Sequence, residues 1–517
     1  MLPRAQLTAC AFACILSVVT CTASVSDDRA PLVRGAHVLN ISNHTHEDFA
    51  AGAPMTFALH RQPVASNFTP FERRQLLVER RRVLSSAAPV ANDVFLDVDL
   101  YGKFSSLGYY YTYLHVGEPE QFFTVIMDTG SVVTAIPCEG CKDCGKHSGG
   151  QPVPHSHGTE SGVFVLKKSK TAVKIGTKFS QSYTEGSSLS GYYVEDTLCL
   201  GQDCNLSTEG IRFKFGCATR MTNLFRTQLA DGIMGMANHG STVLNAMRGK
   251  FHKDIYTLCL SPRNGYFTIG GYETVRHYTP VVWNSNYQAS KNKYYHIQVT
   301  GITVDGADTG VKKDSLKYSS GGALVDSGTT YTYIPKSAHA KIVTQFDKFC
   351  KGSGKCTGTK VTYDKTSVAC YNALSAAQKA TYPHIQFNTP GGNLCIPPEQ
   401  YFFEERGKSC VGFLRDSSSF VIGGNFMMNF DVIFDREKGK VGFARASCES
   451  PDKPPPCCGT ACSIEGGKVS DATNEVAGHL YNESEVALAP STDEETAVAS
   501  VSEPAQKAVD ALVMEYI

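Results

Sequence analysis

Apolar and polar positions alternate in short runs from Val94 onward. Val94-Phe95-Leu96-Asp97-Val98-Asp99-Leu100 and Tyr109 to Val116 read as strands, and Gly117-Glu118-Pro119 ends the second in a turn. Runs of this length recur up to Phe443, with a short helix predicted over Ser337 to Phe349. The fold class expected from this pattern is all-β. Upstream, Ser24 to about Asn92 carries neither strand nor helix period and ends in the clusters Arg73-Arg74 and Arg80-Arg81-Arg82. Downstream of Cys448, Pro454-Pro455-Pro456 opens a cysteine cluster (Cys457, Cys458, Cys462), and an acidic, Ala- and Ser-rich tail runs to Ile517. Such a composition buries too little apolar surface to order itself, so the tail is expected to be disordered.

The strand region repeats itself. Val125-Ile126-Met127-Asp128-Thr129-Gly130-Ser131 is echoed by Ala323-Leu324-Val325-Asp326-Ser327-Gly328-Thr329. About a hundred residues after each copy come two apolar residues and a glycine, Ile233-Met234-Gly235 and Val421-Ile422-Gly423. Two similar lobes account for this order. A single Asp-Thr-Gly is a weak signal, because Asp and Gly often end strands at ordinary turns; two copies with matching partners are a strong one. The segments that follow are residues 1–23, 24–93, a first lobe over 94–280, a second over 281–449, and 450–517.

Each copy sends a carboxylate out of an apolar strand, which is costly unless hydrogen bonds receive it. Gly130 and Gly328 let the backbone turn and bring an N–H to the carboxylate. Ser131 and Thr329 can donate to its outer oxygens, while Thr129 and Ser327 can bond across the lobe junction. Two carboxylates held face to face cannot both ionise cheaply, so Asp128 and Asp326 share a proton and titrate as a unit. One can then act as general base on a water while the other protonates a carbonyl oxygen. That chemistry hydrolyses a peptide bond without metal, cofactor or covalent intermediate.

Those motifs, with Asp231-Gly-Ile-Met-Gly235 and the closing run Val421-Ile-Gly-Gly-Asn-Phe…Phe434-Asp-Arg…Val441-Gly-Phe-Ala444, resemble the pepsin-like aspartic proteases over roughly Val94 to Cys448. The resemblance implies a bilobal fold, a cleft between the lobes for an extended peptide, and a β-hairpin flap above it, with Asp128 and Asp326 catalytic. Within the family the chain is most similar to plasmepsin V and its relatives, through the insert Pro137-Cys138-Glu-Gly-Cys141-Lys-Asp-Cys144 and the flap run Tyr183-Thr-Glu185-Gly186-Ser187. Tyr183 is then the flap tyrosine over the bound peptide. Glu185 is implied to bind an arginine three residues before the cleaved bond, in Arg-x-Leu substrates, through two parallel charge-assisted hydrogen bonds. Many pepsins carry a flap-bonding Trp where this chain has Ala135, so the flap is expected to be anchored differently. The alternatives are a broad-specificity secreted protease and an inactive peptide-binding relative; the two intact Asp loops speak against the latter.

Composition refines this picture. Lys plus Arg equals Asp plus Glu at 49 each, so charge does not point to nucleic acid as a partner. Arg4, the apolar stretch Leu7 to Val19 and the small residues Thr22-Ala23-Ser24 read as a signal peptide cut after about Ala23, the apolar run being too short to span a membrane. Residues 24–93 then read as the propeptide of a zymogen, with Arg74-Gln75-Leu76 and Arg82-Val83-Leu84 as conceivable self-cleavage sites. Three of the 19 cysteines leave with the signal, and the remaining 16 form an even set that suits disulfides. Cys138, Cys141, Cys144 and His147 have spacing that could ligand zinc, but in a secreted chain disulfides are the better reading. Sequons at Asn40, Asn43, Asn67, Asn205 and Asn482 fit a glycoprotein. The plasmepsin V relatives commonly end in a membrane anchor; here the stretch after Cys448 holds no long apolar run, so no transmembrane segment is expected from it. The expectation is a monomer acting on peptide or protein substrates in the endoplasmic reticulum or Golgi lumen, or secreted.

Overall fold

The computed structural model describes residues 96–145, 162–202, 204–251, 253–287, 292–316, 322–362, 366–417, 419–450 and 453–458. The signal-peptide, propeptide and Arg-x-Leu readings, His147, and the tail beyond Cys458 fall outside the described residues. The architecture is all-β and bilobal.

The repeat seen in the sequence is a repeat of topology. In the first lobe, strand Gln121–Asp128 runs parallel to Gly232–Gly235. That short strand pairs antiparallel with Thr134–Lys142, which in turn runs parallel to Ile211–Met221. In the second lobe Ala323–Val325 runs parallel to Val421–Ile422, which meets Thr332–Pro335 antiparallel, and that strand runs parallel to Phe413–Asp416. The order is the same in both. It explains the apolar-apolar-Gly motifs: the short strand is threaded between two others, and at its end the chains touch. A Cβ on Gly235 would lie 2.6 Å from the Val132 carbonyl carbon, and one on Gly423 would run into Tyr331 O.

Strand-forming residues bury both faces here. Val125, Met127, Ile136 and Met234 lie in the first lobe's core, Val325, Ile334, Phe413 and Ile422 in the second's. The helix foreseen over Ser337 to Phe349 spans Lys336–Gly352 and buries Ala338, Ile342 and Phe346, one helical face, against the second lobe.

The lobes are joined by a shared sheet. Ile255–Leu260 pairs antiparallel with Phe430–Asp435, with Thr257 opposite Ile433, and Phe430–Asp435 pairs with Lys440–Arg445 and through it with Val282–Ser285. The disulfide Cys259–Cys448 ties the same region. Further disulfides are Cys138–Cys217, Cys141–Cys144, Cys199–Cys204, Cys350–Cys356, Cys370–Cys410 and Cys395–Cys458. The sulfurs of Cys138, Cys141 and Cys144, weighed above as zinc ligands, are therefore in disulfides rather than free thiolates. Cys458 fastens the start of the tail to the second lobe.

Candidate active site

Asp128 ends its strand and Asp326 directly follows Ala323–Val325, both at the junction of the lobes. Asp128 is 4% exposed and Asp326 9%. Asp128 Oδ1 accepts the Gly130 N–H at 2.9 Å, and Asp326 Oδ1 accepts the Gly328 N–H at the same distance. The Thr329 hydroxyl donates to Asp326 Oδ2 at 2.6 Å. Ser131 Oγ is buried without a partner in hydrogen-bonding geometry, although it lies close enough to Asp128 to favour its charged form.

Four hydrogen bonds lock one loop to the other. The Thr129 N–H donates to Ser327 Oγ at 3.1 Å and the Ser327 N–H donates to Thr129 Oγ1 at 2.9 Å. The Thr129 hydroxyl donates to Val325 O at 2.9 Å, and the Ser327 hydroxyl to Met127 O at 2.7 Å. Each hydroxyl thus reaches the strand carrying the opposite aspartate. All four are buried, where a lost partner costs about 1–3 kcal/mol.

The lock holds the two carboxyls against each other. A Cβ on Gly130 would lie 2.6 Å from both Asp326 oxygens, and one on Gly328 would collide with Asp128 Oδ1. The carboxyls lie close enough for each to act on the other's charge. Burial pushes the Asp128 carboxyl well above the usual carboxylate range, the charge of Asp326 pushes it further, and Ser131 and the Gly130 N–H offset part of this. A pair of this kind retains one proton where separate carboxylates would have none. It can polarise a water and protonate an oxygen in the same site.

The hairpin of Val173–Ser182 and Ser188–Leu200 turns through Tyr183–Ser187. The Tyr183 N–H donates to Ser187 O at 2.9 Å and the Gly186 N–H to Tyr183 O at 3.0 Å, with Gly186 at φ +88°. Tyr183 reaches toward the aspartates: burial raises its phenol well above the ordinary value, and the Asp128 charge is the next cause. Its ring centroid lies 5.3 Å from that of Phe225, and both pack into the apolar cluster that holds Ala135 and Phe179. The short helix Asn223–Arg226 steadies the turn, the Asn223 amide donating to Gly186 O at 2.8 Å and the Leu224 N–H to Ser187 Oγ at 3.2 Å. Phe225 thus supplies an aromatic contact to the flap tyrosine, within the cluster that also holds Ala135. Glu185 stands exposed at the tip of the turn, near enough for its charge to act on the Tyr183 phenol.

Two features of the site escaped sequence reasoning. Asp231 is a buried strut: its Oδ2 accepts from the Thr124 N–H at 2.8 Å and hydroxyl at 2.9 Å, behind the strand that carries Asp128. Tyr294 lies in the field of both aspartates, its phenol raised by burial first and then by Asp128 and Asp326. The motif Asp231-Gly gave a signal for the first; nothing local in Lys293-Tyr294-Tyr295 marks the second.

A family profile described as eukaryotic aspartyl protease matches residues 109–446, which takes in both Asp loops and the flap. The chain is similar to Aspartic protease 5 of Toxoplasma gondii, 26% identical over 430 residues that cover 70% of this chain and 38% of the relative. It is similar to Plasmepsin V of Plasmodium falciparum (isolate 3D7) at 23% over 441 residues, 68% of this chain and 73% of the relative. Aspartic proteinase nepenthesin-1 of Nepenthes gracilis is 24% identical over 434 residues, 78% of this chain and 92% of the relative. With two lobes of one topology and a facing aspartate pair at their junction, the chain belongs to the eukaryotic aspartyl protease family, enzymes that hydrolyse peptide bonds.

Proposed function

We infer that the chain is an endopeptidase in which Asp128 and Asp326 activate a water between them and cleave secretory-pathway proteins after an Arg-x-Leu type motif. The observation that carries the catalytic part is the mutual contact of two buried carboxyls, each fixed by its own glycine N–H and locked by Thr129 and Ser327. One carboxylate takes a proton from water as the water attacks the peptide carbonyl. The other donates its proton to the carbonyl oxygen; as the C–N bond breaks, the first carboxyl passes the water's proton to the leaving amine and the tetrahedral hydroxyl returns its proton to the second. Thr129, Gly130, Ser131, Ser327, Gly328 and Thr329 hold the two groups in that relation, and Tyr183 closes over the peptide.

Support for arginine recognition comes from the place of Glu185. It is an exposed carboxylate on the turn that also carries Tyr183, so a peptide covered by that tyrosine passes beneath it. A guanidinium meets a carboxylate through two parallel hydrogen bonds, where an ammonium makes a point contact. Seven disulfides among the described residues support an oxidising compartment.

Matched Arg-x-Leu and Lys-x-Leu peptides test both parts. Wild type is expected to cut the arginine peptide about tenfold faster in kcat/KM, the worth of one charge-assisted bond. Glu185→Ala should remove that ratio and Asp326→Asn should abolish turnover. Equal rates on the two peptides, unchanged in Glu185→Ala, reject arginine reading in favour of broad specificity. Undiminished turnover in Asp326→Asn rejects the mechanism.

A further inference from the structure

Residues 293–295 cross from one aspartate loop to the other. Lys293 O accepts the Asn238 N–H at 2.8 Å, and two residues before Asn238 the Met236 N–H donates to Asp128 O at 2.8 Å. At the other end Tyr295 O accepts at 2.8 Å the N–H of Val325, the neighbour of Asp326. Tyr295 is pinned inside, its hydroxyl donating to Met236 O at 3.1 Å. The segment is thus hydrogen-bonded on both sides of the aspartate pair, and Tyr294 between the two anchors lies within the field of both carboxyls.

Lys293 stands at the rim of this arrangement. It is exposed, and its Nζ lies over the Tyr294 ring, 5.2 Å from the centroid. No ion pair engages it among the described residues. An ammonium resting on an aromatic face is held in place without being neutralised. The aspartate pair that retains one proton still carries a negative charge, which disfavours acidic side chains nearby; an ammonium over the Tyr294 ring acts in the opposite sense.

We propose that Lys293 is a specificity-determining residue that favours an acidic side chain, Asp or Glu, at the substrate position passing over Tyr294. This rests on the endopeptidase reading above and adds a second charge requirement to it. A carboxylate there gains a charge-assisted contact with the ammonium, while Lys or Arg meets a like charge.

The test is a peptide series with one cleavable core, in which Glu, Ala or Lys is walked through the positions on both sides of the cut bond. Wild type, Lys293→Ala, Lys293→Glu and Lys293→Arg are compared by the ratio of kcat/KM for Glu over Ala peptides. At one position the ratio is expected to be about three to five in wild type and in Lys293→Arg, the scale of an exposed ion pair. It should fall to about one in Lys293→Ala, drop below one in Lys293→Glu, and shrink in wild type as salt is raised. Each ratio is internal to one enzyme, so lost folding does not move it. A ratio identical in wild type and Lys293→Glu at every position overturns this inference and leaves the protease reading standing. Failure of wild type to cut any of the peptides overturns both.

Discussion

Asp128 is 4% exposed and lies against a second carboxyl, so its charged form loses hydration and meets a like charge. Its folded-state pKa is raised. The native state therefore binds its proton more tightly than the unfolded chain, where an aspartate titrates near about 3.9. The associated stability is fully present below that value and lost as pH rises through the folded pKa, each unit of displacement being about 1.4 kcal/mol. Asp128→Asn removes the buried charge, so its melting temperature should exceed that of wild type by a margin that widens from pH 4 to pH 7. A margin independent of pH, read by calorimetry, contradicts a raised Asp128. For the same reason the alkaline limb of the kcat/KM profile should lie above the ordinary carboxylate range, because activity persists until the shared proton leaves.

At the scale of the element, the hairpin tip depends on its neighbour. Tyr183 is held by Phe225 from a short helix whose backbone also bonds the turn. An aromatic pair contributes about 0.5–1.5 kcal/mol beyond its area. Phe225→Leu keeps apolar volume and loses the pair, so kcat/KM should fall about two- to tenfold with a nearly unchanged melting temperature. Unaltered kinetics would show that Phe225 does not position the flap. This contact also marks the limit of what the chain discloses about itself. Asp128-Thr-Gly-Ser and Asp326-Ser-Gly-Thr were legible because a carboxylate leaving a strand needs its donors within three residues, and those needs are written locally. The helix Lys336–Gly352 was legible through its period. Phe225 and Tyr294 were not: Phe225 meets Tyr183 across 42 residues, and the aspartates acting on Tyr294 lie 166 residues before it and 32 after it, separations that leave no local mark. The cysteine partners were hidden likewise: Cys138 pairs with Cys217, not with its near neighbours Cys141 or Cys144.

At the scale of the whole molecule, the lobes are joined where Phe430–Asp435 lies on Ile255–Leu260. Beside this seam Arg436, its side chain 3% exposed, pairs with Asp254 at 3.3 Å, and Asp254 also meets the exposed Arg248 at 3.0 Å. Removing one partner of a buried pair leaves the other charge uncompensated. Arg436→Met should destabilise by about 2–4 kcal/mol in denaturant unfolding, softened by Arg248, and Arg436→Met with Asp254→Asn should recover part of the loss. A double variant less stable than the single one by the full cost of a second independent mutation argues against coupling across the seam.

The strand Phe430–Asp435 has one more consequence, for the order in which the protein is made. Thr257 leaves the ribosome 176 residues ahead of Ile433, its partner in the ladder. At about 5–20 residues per second the gap is on the order of 10–30 seconds, during which Ile255–Leu260 presents an unmatched hydrogen-bonding edge. The first half of this polypeptide therefore cannot finish folding while it is being translated, and it waits for nearly the last of its strands to emerge.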